Sequence, residues 1–405
     1  MTKLAPGALP VATAIDFVDT YWGRSLLSGV DTPSVVYSEK RLADNAAVFL
    51  RQDCGVPHQV FFAMKACPMA RVAKTFSAAG LGGEVQSSLE LSLARAAGFP
   101  DDRLMLNGPR KPRAAARDLL EAGGRVVADS EDEFRTFLQV EGLGLGVRVN
   151  IGGESADTFI RPSDRFGVSL AVAEKLVGEA RPPVMLHMHC LARCDSPQAI
   201  LDSYQPLADW LRHHGPGFSR LNLGGGFNSR LRLGQARQSL DNLLRVHADM
   251  FGGFGLPLMF EPGRALVEDA AVAVTTVAAI KTGVDGSRWC MVDIGTNLLV
   301  PLPLARFTVI ALDGGDKPTC SWAVADGTCS PAGVIDRHAL LPETLAEGDR
   351  LLVLCCGAYT YSLAESFCDT IPPAYFLGRD GTMECMLSAE DSRLVADLLF
   401  GVRRS

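Results

Sequence analysis

One lysine of this chain stands at the end of an apolar run, an arrangement that supports amine chemistry. Residues 58–64 form a short apolar stretch with aromatic side chains, Lys65 follows, and Pro68 signals a turn. This pattern predicts a buried strand that ends at the lysine. Because an unpaired buried ammonium is costly, such a lysine reaches solvent, pairs with a carboxylate, or serves as a reactive amine.

The other apolar stretches also end at residues that could do chemistry. Most of these residues are ionisable or carry an amide, and one is glycine: Glu84, Asn107, Asp129, Arg148, His189, Gly224 and Glu261. Polar residues are common at strand ends, but so many ionisable and amide groups in equivalent positions favour a functional site.

Two glycine-containing turns add anion-binding chemistry. Gly224–Gly226 directly follows a predicted strand, where backbone N–H groups can approach an anion closely. The stretch Glu261–Arg264 offers a second tight turn and a guanidinium suited to phosphate oxygens. A phosphate site, a lysine, an imidazole and a carboxylate together fit pyridoxal phosphate, which needs an amine, phosphate donors and a partner for its ring nitrogen.

Short apolar strands and alanine- and leucine-rich helices alternate along the first part of the chain. We predict strands near residues 58–64, 82–85, 103–106, 125–128, 146–150, 184–189, 220–223 and 257–260. We predict helices near residues 69–79, 88–97, 112–122, 130–140, 171–180, 196–214 and 235–250. This alternation is typical of a parallel (β/α)8 barrel, in which chemistry lies at the carboxyl ends of the strands; a doubly wound open sheet is the alternative.

The alternation of strands and helices ends after Glu268. Strand-like stretches at residues 271–280, 289–293, 306–311, 321–326 and 350–355 are separated by Gly, Asp and Pro turns, with few convincing helices. Residues 1–33 look irregular and lead into a strand. We therefore predict an α/β fold with a TIM-like barrel at residues 35–268 and a mostly-β barrel or sandwich domain built from residues 1–34 and 269–405.

Composition narrows the function classes. The 405 residues are 47% hydrophobic and 21% charged, with a formal net charge of −7, so no basic surplus exists for nucleic acid or an anionic membrane. The first residues lack a basic segment followed by a sustained apolar one, and the apolar run 270–280 is too short to span a bilayer. We expect a soluble, cytoplasmic protein.

The cysteines do not form a metal-binding or disulfide pattern. There are 11 of them without repeated CxxC spacing, so reduced thiols are expected. His187, His189, Cys190 and Cys194 include zinc-ligand types. On a strand, however, the two histidines share one face and Cys190 points away, so we expect no metal.

The chain carries a set of short motifs, one after another. They are Phe62–Ala66, Asn107-Gly108-Pro109, Asp129-Ser130, Arg165-Phe166-Gly167, His187-Met188-His189, Gly224–Phe227, Glu261–Arg264, Gly327-Thr328-Cys329 and Gly357–Thr360. From about Thr32 to Pro372 the chain resembles the fold-type III decarboxylases that use pyridoxal phosphate, the group of ornithine and diaminopimelate decarboxylases with an alanine-racemase-like barrel.

The resemblance implies a role for each matching residue. Lys65 matches the lysine that binds the cofactor, His189 the ring that stacks on it, and Glu261 the partner that keeps the pyridine nitrogen protonated. Cys329 matches a cysteine that the second subunit provides as proton donor, which implies a homodimer with shared sites completed by the β domain. The expected cofactor-binding set is Lys65, Glu84, Arg148, His189, Gly224, Gly225, Gly226, Glu261, Gly263, Arg264 and Tyr359.

The chain departs from the family pattern on the cofactor side at one point. Leu191 and Ala192 stand where the family usually has Gly-Ser, so one phosphate contact is missing.

The substrate side departs further. Ser330 stands where the family has an acidic residue that binds the distal amine of the substrate, and Gly333 stands where it has a later aspartate. Residues 301–303 lack the arginine of diaminopimelate enzymes, and only Arg306 lies nearby in the sequence. Ser330, Phe367 and Arg306 are the candidate substrate-binding residues. We predict α-decarboxylation of an amino acid or amino-acid conjugate with non-standard side-chain recognition, in specialised biosynthesis.

Two alternatives stay open at this stage. The first is an amino-acid racemase on the same barrel, but such racemases usually pair the ring nitrogen with arginine, and Glu261 stands there instead. The second is an inactive binding or regulatory homologue, which retention of Lys65, Glu261 and Cys329 disfavours.

Overall fold

The computed structural model describes residues 9–51, 55–140, 144–151, 164–180, 183–214, 217–300, 307–314 and 317–402. The chain divides into two compact units. One unit, called the barrel unit here, is Ala43–Leu266; the other, the β unit, combines Met1–Leu42 with Val267–Ser405.

The strands and helices are as follows. The strands are β1 (Ser34–Ser38), β2 (His58–Ala63), β3 (Gly82–Val85), β4 (Leu104–Leu106), β5 (Arg125–Ala128), β6 (Leu145–Arg148), β7 (Met185–His187), β8 (Arg220–Asn222), β9 (Leu258–Phe260), β10 (Ala271–Thr282), β11 (Arg288–Val292), β12 (Thr308–Ala311), β13 (Thr319–Asp326), β14 (Val334–Pro342), β15 (Arg350–Leu354), β16 (Ala374–Leu377) and β17 (Met383–Leu387). The α-helices are α1 (Val11–Tyr21), α2 (Arg24–Leu27), α3 (Glu39–Leu50), α4 (Ala70–Ala78), α5 (Ser88–Ala96), α6 (Arg113–Glu121), α7 (Glu131–Leu138), α8 (Leu170–Glu179), α9 (Pro197–His214), α10 (Arg230–Gln235), α11 (Leu240–Phe251), α12 (Arg264–Val267) and α13 (Ala389–Leu399).

Strands β2 to β9 form a closed parallel barrel. Each strand pairs with the next, and β9 pairs with β2 through the register Val60 to Phe260, which closes the barrel and excludes the open sheet. Five fully buried or nearly buried side chains from β2, β4, β5, β7 and β9 fill the interior: Phe61, Met105, Val127, Met185 and Met259. Because helices cover the outside, the strands are apolar on both faces, which explains why they are recognisable as continuous apolar runs.

Serine caps fix the start of several barrel helices. Ser87 accepts a hydrogen bond from Glu90 N at the start of α5, and Ser130 accepts one from Glu133 N at the start of α7. A side-chain oxygen at this position satisfies a backbone N–H that has no partner within the helix. These caps mark where the two helices begin, and the loops before them carry polar residues of the barrel rim.

The β unit is built around one sheet in the order β14-β13-β11-β10-β1-β16-β17, with β15 pairing with both β10 and β12. Strand β1 lies between β10, to which it is antiparallel, and β16, to which it is parallel. The predicted barrel plus mostly-β domain is therefore confirmed. The strand at the predicted start of the barrel, however, belongs to the β unit, because its hydrogen bonds go to Ala271–Val274 and Ala374–Leu377.

Several elements differ from the sequence-based expectations. Residues 1–33 were expected to be irregular, but α1 lies there and buries Ala14 and Val18. Helix α13 follows residue 388, where its capping box pairs Ser388 with Asp391. Strands β14, β16 and β17 were also missed, since β14 and β17 carry charged or exposed residues that obscure their alternation.

Candidate active site

Lys65 lies at the rim of the barrel and is paired with a buried carboxylate. It sits in a single turn, Met64–Ala66, immediately after β2. Its Nζ lies 2.5 Å from Oε2 of Glu84, whose side chain is only 1% exposed while that of Lys65 is 36% exposed. The amine is therefore oriented by a buried partner and remains accessible from solvent.

The Glu84 carboxyl group has an unusually high pKa. Burial raises the pKa of Glu84 to about 7, opposed by the Lys65 ammonium and reinforced by the negative charge of Glu261. Glu84 therefore changes between its neutral and its ionised form close to physiological pH. The ionised form is a proton acceptor 2.5 Å from the Lys65 amine and can take the proton that this amine loses when it attacks a carbonyl group.

Glu261, directly after β9, is ionised in a buried cluster. Asn222 Nδ2 donates to its Oε1 at 2.8 Å, and Asn107 Nδ2 lies 3.4 Å from both of its oxygens. His187 Nε2 lies 3.4 Å from Oε2. Burial by itself would raise the pKa of Glu261, but His187 and then Lys65 hold that pKa at about 2. At neutral pH, Glu261 is therefore a buried carboxylate.

His187 supports Glu261 as a neutral hydrogen-bond donor. Burial lowers the pKa of His187 below its ordinary value, so the ring is uncharged near pH 7. With the proton on Nε2, only the Nδ1 lone pair is left without a partner among the described residues. The other tautomer would bury an unsatisfied N–H, which is more costly.

His189 is buried and neutral as well. Burial, and then the positive charge of Arg148, lowers the pKa of His189 to about 3. Gly225 N donates to His189 Nδ1 at 3.1 Å, so the ring proton is on Nε2. This bond fixes the plane of the imidazole beside the triple glycine.

The triple glycine is required by close packing. Gly224 has φ +64°, and a Cβ there would lie 2.6 Å from His189 Nδ1; Gly226 has φ +90°, and its Cβ would lie 2.3 Å from Leu191 O. Two of the three N–H groups are used internally, since Gly224 N donates to Asn222 Oδ1 and Gly225 N donates to His189 Nδ1. Of the three N–H groups, only that of Gly226 donates to no acceptor among the described residues, and phosphate binding by the three glycines stays a prediction.

The turn after β9 brings a second free amide to the same rim. Gly263 N also donates to no acceptor within the described part of the chain, and Arg264 follows as the first residue of α12. Pro262 O accepts a hydrogen bond from Ala63 N at 3.1 Å, which ties this turn to the end of β2 beside Lys65.

Arg148 closes β6 and is held by Asp129 and an aromatic ring. Its Nη1 lies 3.6 Å from Asp129 Oδ1, and its guanidinium carbon lies 4.4 Å from the centre of the Phe166 ring. Gly167 N donates to Asp129 Oδ2 at 3.1 Å. The motif Arg165-Phe166-Gly167 thus positions a cation that also acts electrostatically on Glu84 and Glu261.

Sequence reasoning missed a supporting pair beneath this cluster. The Lys111 side chain is fully buried, and its Nζ lies 2.7 Å from Glu133 Oε2 and donates to Gly108 O at 2.6 Å. Glu133 also accepts Asp129 N at 2.9 Å. The pair therefore joins the loops after β4 and β5 and holds Asn107 towards Glu261. Its only sequence signal is a lysine three residues after Gly108.

The remaining predicted site residues lie in the β unit or outside the described residues. Cys329 and Phe367 are exposed, Ser330 lies one residue after Cys329 in a turn, and Tyr359 has a left-handed backbone with φ +58°. Arg306 lies outside the described residues. The barrel residues of the predicted set do converge: Lys65, Glu84, Arg148, His189 and Glu261 act on one another's charge.

The barrel matches a known family over most of its length. Residues 41–268 match the family model described as "Pyridoxal-dependent decarboxylase, pyridoxal binding domain". The chain belongs to this family of decarboxylases. The enzyme is a carboxy-lyase that uses pyridoxal phosphate, so the predicted family, enzyme class and cofactor are confirmed and a racemase or inactive homologue is not supported.

Curated relatives support this assignment, and solved structures have a similar fold. The decarboxylase is 30% identical to diaminopimelate decarboxylase of Deinococcus radiodurans, covering 85% of this chain and 90% of the relative. It is 25% identical to the Staphylococcus aureus enzyme of the same name, covering 91% and 94%. The fold is similar to diaminopimelate decarboxylase from Helicobacter pylori complexed with L-lysine, with a TM-score of 0.78, 19% identity and coverage of 92% and 99%. It is also similar to a Paramecium bursaria Chlorella virus arginine decarboxylase bound to agmatine, with a TM-score of 0.74, 18% identity and coverage of 89% and 100%.

Among the described residues, none of the helices has the length and apolar character that crossing a bilayer requires. The cytoplasmic location stays a prediction.

Proposed function

We propose that this decarboxylase removes the α-carboxyl group of an amino acid whose distal end is neutral or conjugated. The observation that carries the catalytic part is the convergence of the Lys65–Glu84 pair and the ionised Glu261 on one barrel rim. The observation that carries the substrate part is the turn after Asp326, residues 327–333, which contains no charged side chain. An enzyme normally binds a free distal ammonium or carboxylate of its substrate with a side chain of opposite charge.

The residues on the rim fit pyridoxal phosphate. The free N–H groups of Gly226 and Gly263, together with Arg264, suit a phosphate, and the cradle leaves no room for side chains at Gly224 or Gly226. Glu261 suits a protonated ring nitrogen because it is held ionised. Tyr359 remains a proposed phosphate ligand by resemblance.

Each side chain then has a defined task. When bound, the cofactor supplies an electron-withdrawing ring that accepts the electron pair of the bond to the departing carboxylate. Lys65 provides the amine that tethers the cofactor, Glu84 accepts and returns the proton of that amine, and Glu261 keeps the ring nitrogen protonated. His189, neutral and fixed by Gly225, packs against a flat ligand without adding a competing charge.

The proposed homodimer concerns Cys329. By resemblance, Cys329 of one subunit would deliver a proton to the reacting carbon in the site of the other. Its exposure in the single chain agrees with such a role.

Cofactor binding should depend on pH through Glu84. We expect pyridoxal phosphate to bind the apoprotein faster as the pH rises through about 7, because Glu84 then becomes a carboxylate that accepts the Lys65 proton. Mixing experiments that follow the absorbance of bound cofactor would measure this. Glu84→Gln should lose the pH dependence, whereas Glu174→Gln, an exposed residue of α8, should keep it; an unchanged pH profile in Glu84→Gln would contradict the role of Glu84.

A substrate panel tests the proposed specificity. The purified enzyme is incubated with diaminopimelate, ornithine, arginine, and diamino acids acylated on the distal amine, and CO2 release and the amine product are measured. We expect kcat/KM for an acylated substrate to exceed that for its free diamine by at least about 10²-fold, the loss expected when a buried charge finds no partner. Diaminopimelate is the second candidate, because it is the substrate named for relatives that match most of the chain; efficient turnover of it would overturn the proposal of a neutral distal end.

A further inference from the structure

Two exposed cysteines of the β unit interact through their side chains. The Cys368 thiol lies within hydrogen-bonding reach of the Cys329 thiol, and both cysteines are free and exposed. Cys329 is the residue assigned above as proton donor, whereas Cys368 has no role in that scheme. In the single chain, both sulfurs are open to solvent.

A single turn of the fold holds the two cysteine segments side by side. Thr296 donates to Asp326 Oδ2 through its N–H and its hydroxyl, at 2.8 and 2.7 Å, three residues before Cys329. The next residue, Asn297, donates from Nδ2 to Thr370 O at 3.0 Å, and its carbonyl accepts Glu365 N at 2.8 Å. The segments on either side of Cys368 are thus tied to the turn that also anchors the Cys329 segment.

Local hydrogen bonds stiffen each segment. Asp326 Oδ1 accepts Thr328 N at 3.0 Å, and Ser330 N donates to Thr328 Oγ1 at 3.3 Å. Cys368 itself has a left-handed backbone with φ +64°. A disulfide requires its two residues to be close and correctly placed before the bond forms. Here the backbone on both sides is already held in place.

We propose that Cys329 and Cys368 form a reversible intramolecular disulfide that switches the enzyme off. The Cys329 thiolate attacks an oxygen of a hydroperoxide, the O–O bond breaks, and a sulfenic acid and an alcohol, or water from hydrogen peroxide, are released. The Cys368 sulfur then attacks the sulfenic sulfur, the S–S bond forms, and the hydroxyl leaves as water with the Cys368 proton. Two thiols lose two electrons and the peroxide gains them; a dithiol reductant reverses the reaction.

The order of the two steps follows from the surroundings of Cys368. Desolvation, followed by the neighbouring Cys329 and the carboxylates of Asp326 and Asp369, raises the pKa of the Cys368 thiol above its ordinary value. A smaller fraction of the Cys368 thiol is therefore ionised at neutral pH, and Cys368 acts second. The bond occupies the sulfur of Cys329, so the proton that this thiol would deliver is lost.

The experiment treats the holoenzyme with hydrogen peroxide and follows free thiols, intact mass and, after digestion without reduction, the linked peptides. Wild-type protein should lose two thiols and the mass of two hydrogen atoms, with Cys329 and Cys368 in one linked peptide. Dithiothreitol should restore both thiols. Cys368→Ser should form no such link, and Cys385→Ser, which changes another exposed cysteine on β17, should behave as wild type.

The regulatory part rests on the proposed function and has a separate readout. Decarboxylation by oxidised wild type should fall by at least about 10²-fold, as expected for loss of a general acid, and recover with dithiothreitol. Reduced Cys368→Ser should keep wild-type activity. A link to any cysteine other than Cys368, or full activity in the linked form, overturns the proposal. If no substrate is turned over, the thiol and peptide measurements still decide whether the disulfide forms.

Discussion

Replacing Lys65 with alanine is expected to abolish decarboxylation, with kcat lower by at least about 10⁴-fold, the scale seen when a covalent catalyst is removed. The amine on the rim is the group that Glu84 positions at 2.5 Å, and alanine leaves no atom to tether the cofactor. The wild-type protein should absorb visible light, and borohydride should remove this absorbance and place a reduced pyridoxyl label on Lys65. Absorbance spectra and peptide mapping measure both effects.

The control for this variant is Lys74→Ala, which removes an exposed lysine of α4 and should retain colour, label and turnover. A label on any other lysine, or a colourless wild-type protein that pyridoxal phosphate does not reconstitute, contradicts the assignment.

The Lys65→Ala variant also tests whether the active site is shared between subunits. Mixed with Cys329→Ser, it should recover about a quarter of wild-type activity, because half of randomly formed dimers are mixed and each has one intact site. No recovery on verified mixing would count against a site shared between subunits.

Glu261→Gln is expected to bind the cofactor and yet to lower kcat by about 10³-fold, at the upper end for losing one preorganised electrostatic contact. Glutamine keeps the shape of the side chain, and Asn222 can still donate to its oxygen, but the negative charge that we propose for the ring nitrogen is gone. His187, neutral and buried, cannot replace that charge. Single-turnover measurements of CO2 release separate this effect from slow product loss.

Glu121→Gln, at the exposed end of α6, is the matched control and should turn over normally. The absorbance spectrum of the cofactor distinguishes slow chemistry in Glu261→Gln from loss of the cofactor. If Glu261→Gln retains wild-type kcat, the ring nitrogen has another partner and the role given to Glu261 is wrong.

The barrel was predictable because each of its strands is buried on both faces and is encoded as a local apolar run. His58–Ala63 illustrates this, with only Gln59 exposed. Helix α1 was not predictable in the same way: its entry residue Pro10 makes no side-chain cap, and its first turn lacks acidic residues. Its position depends on tertiary contacts, which a local pattern does not contain.

The site was predictable in its charged members and not in their support. Lys65, Glu84 and Glu261 each lie at or next to the end of a strand, a pattern visible in the sequence. The donation from Asn222 to Glu261 and the tautomer of His187 depend on which strands become neighbours in the closed barrel. Likewise, the sequence cannot show that Gly224 and Gly225 use their N–H groups on Asn222 and His189.

The location of β1 has a consequence for biosynthesis of the chain. Strand β1 leaves the ribosome early, but its two neighbours, β10 and β16, are encoded after the entire barrel. The barrel unit, which is continuous in sequence, can therefore fold while translation proceeds, whereas β1, an interior strand of the β unit's sheet, must wait for the C-terminal segments. Until then its unpaired edges are exposed to other nascent chains, so we infer that truncation before Ala374 would favour aggregation over folding.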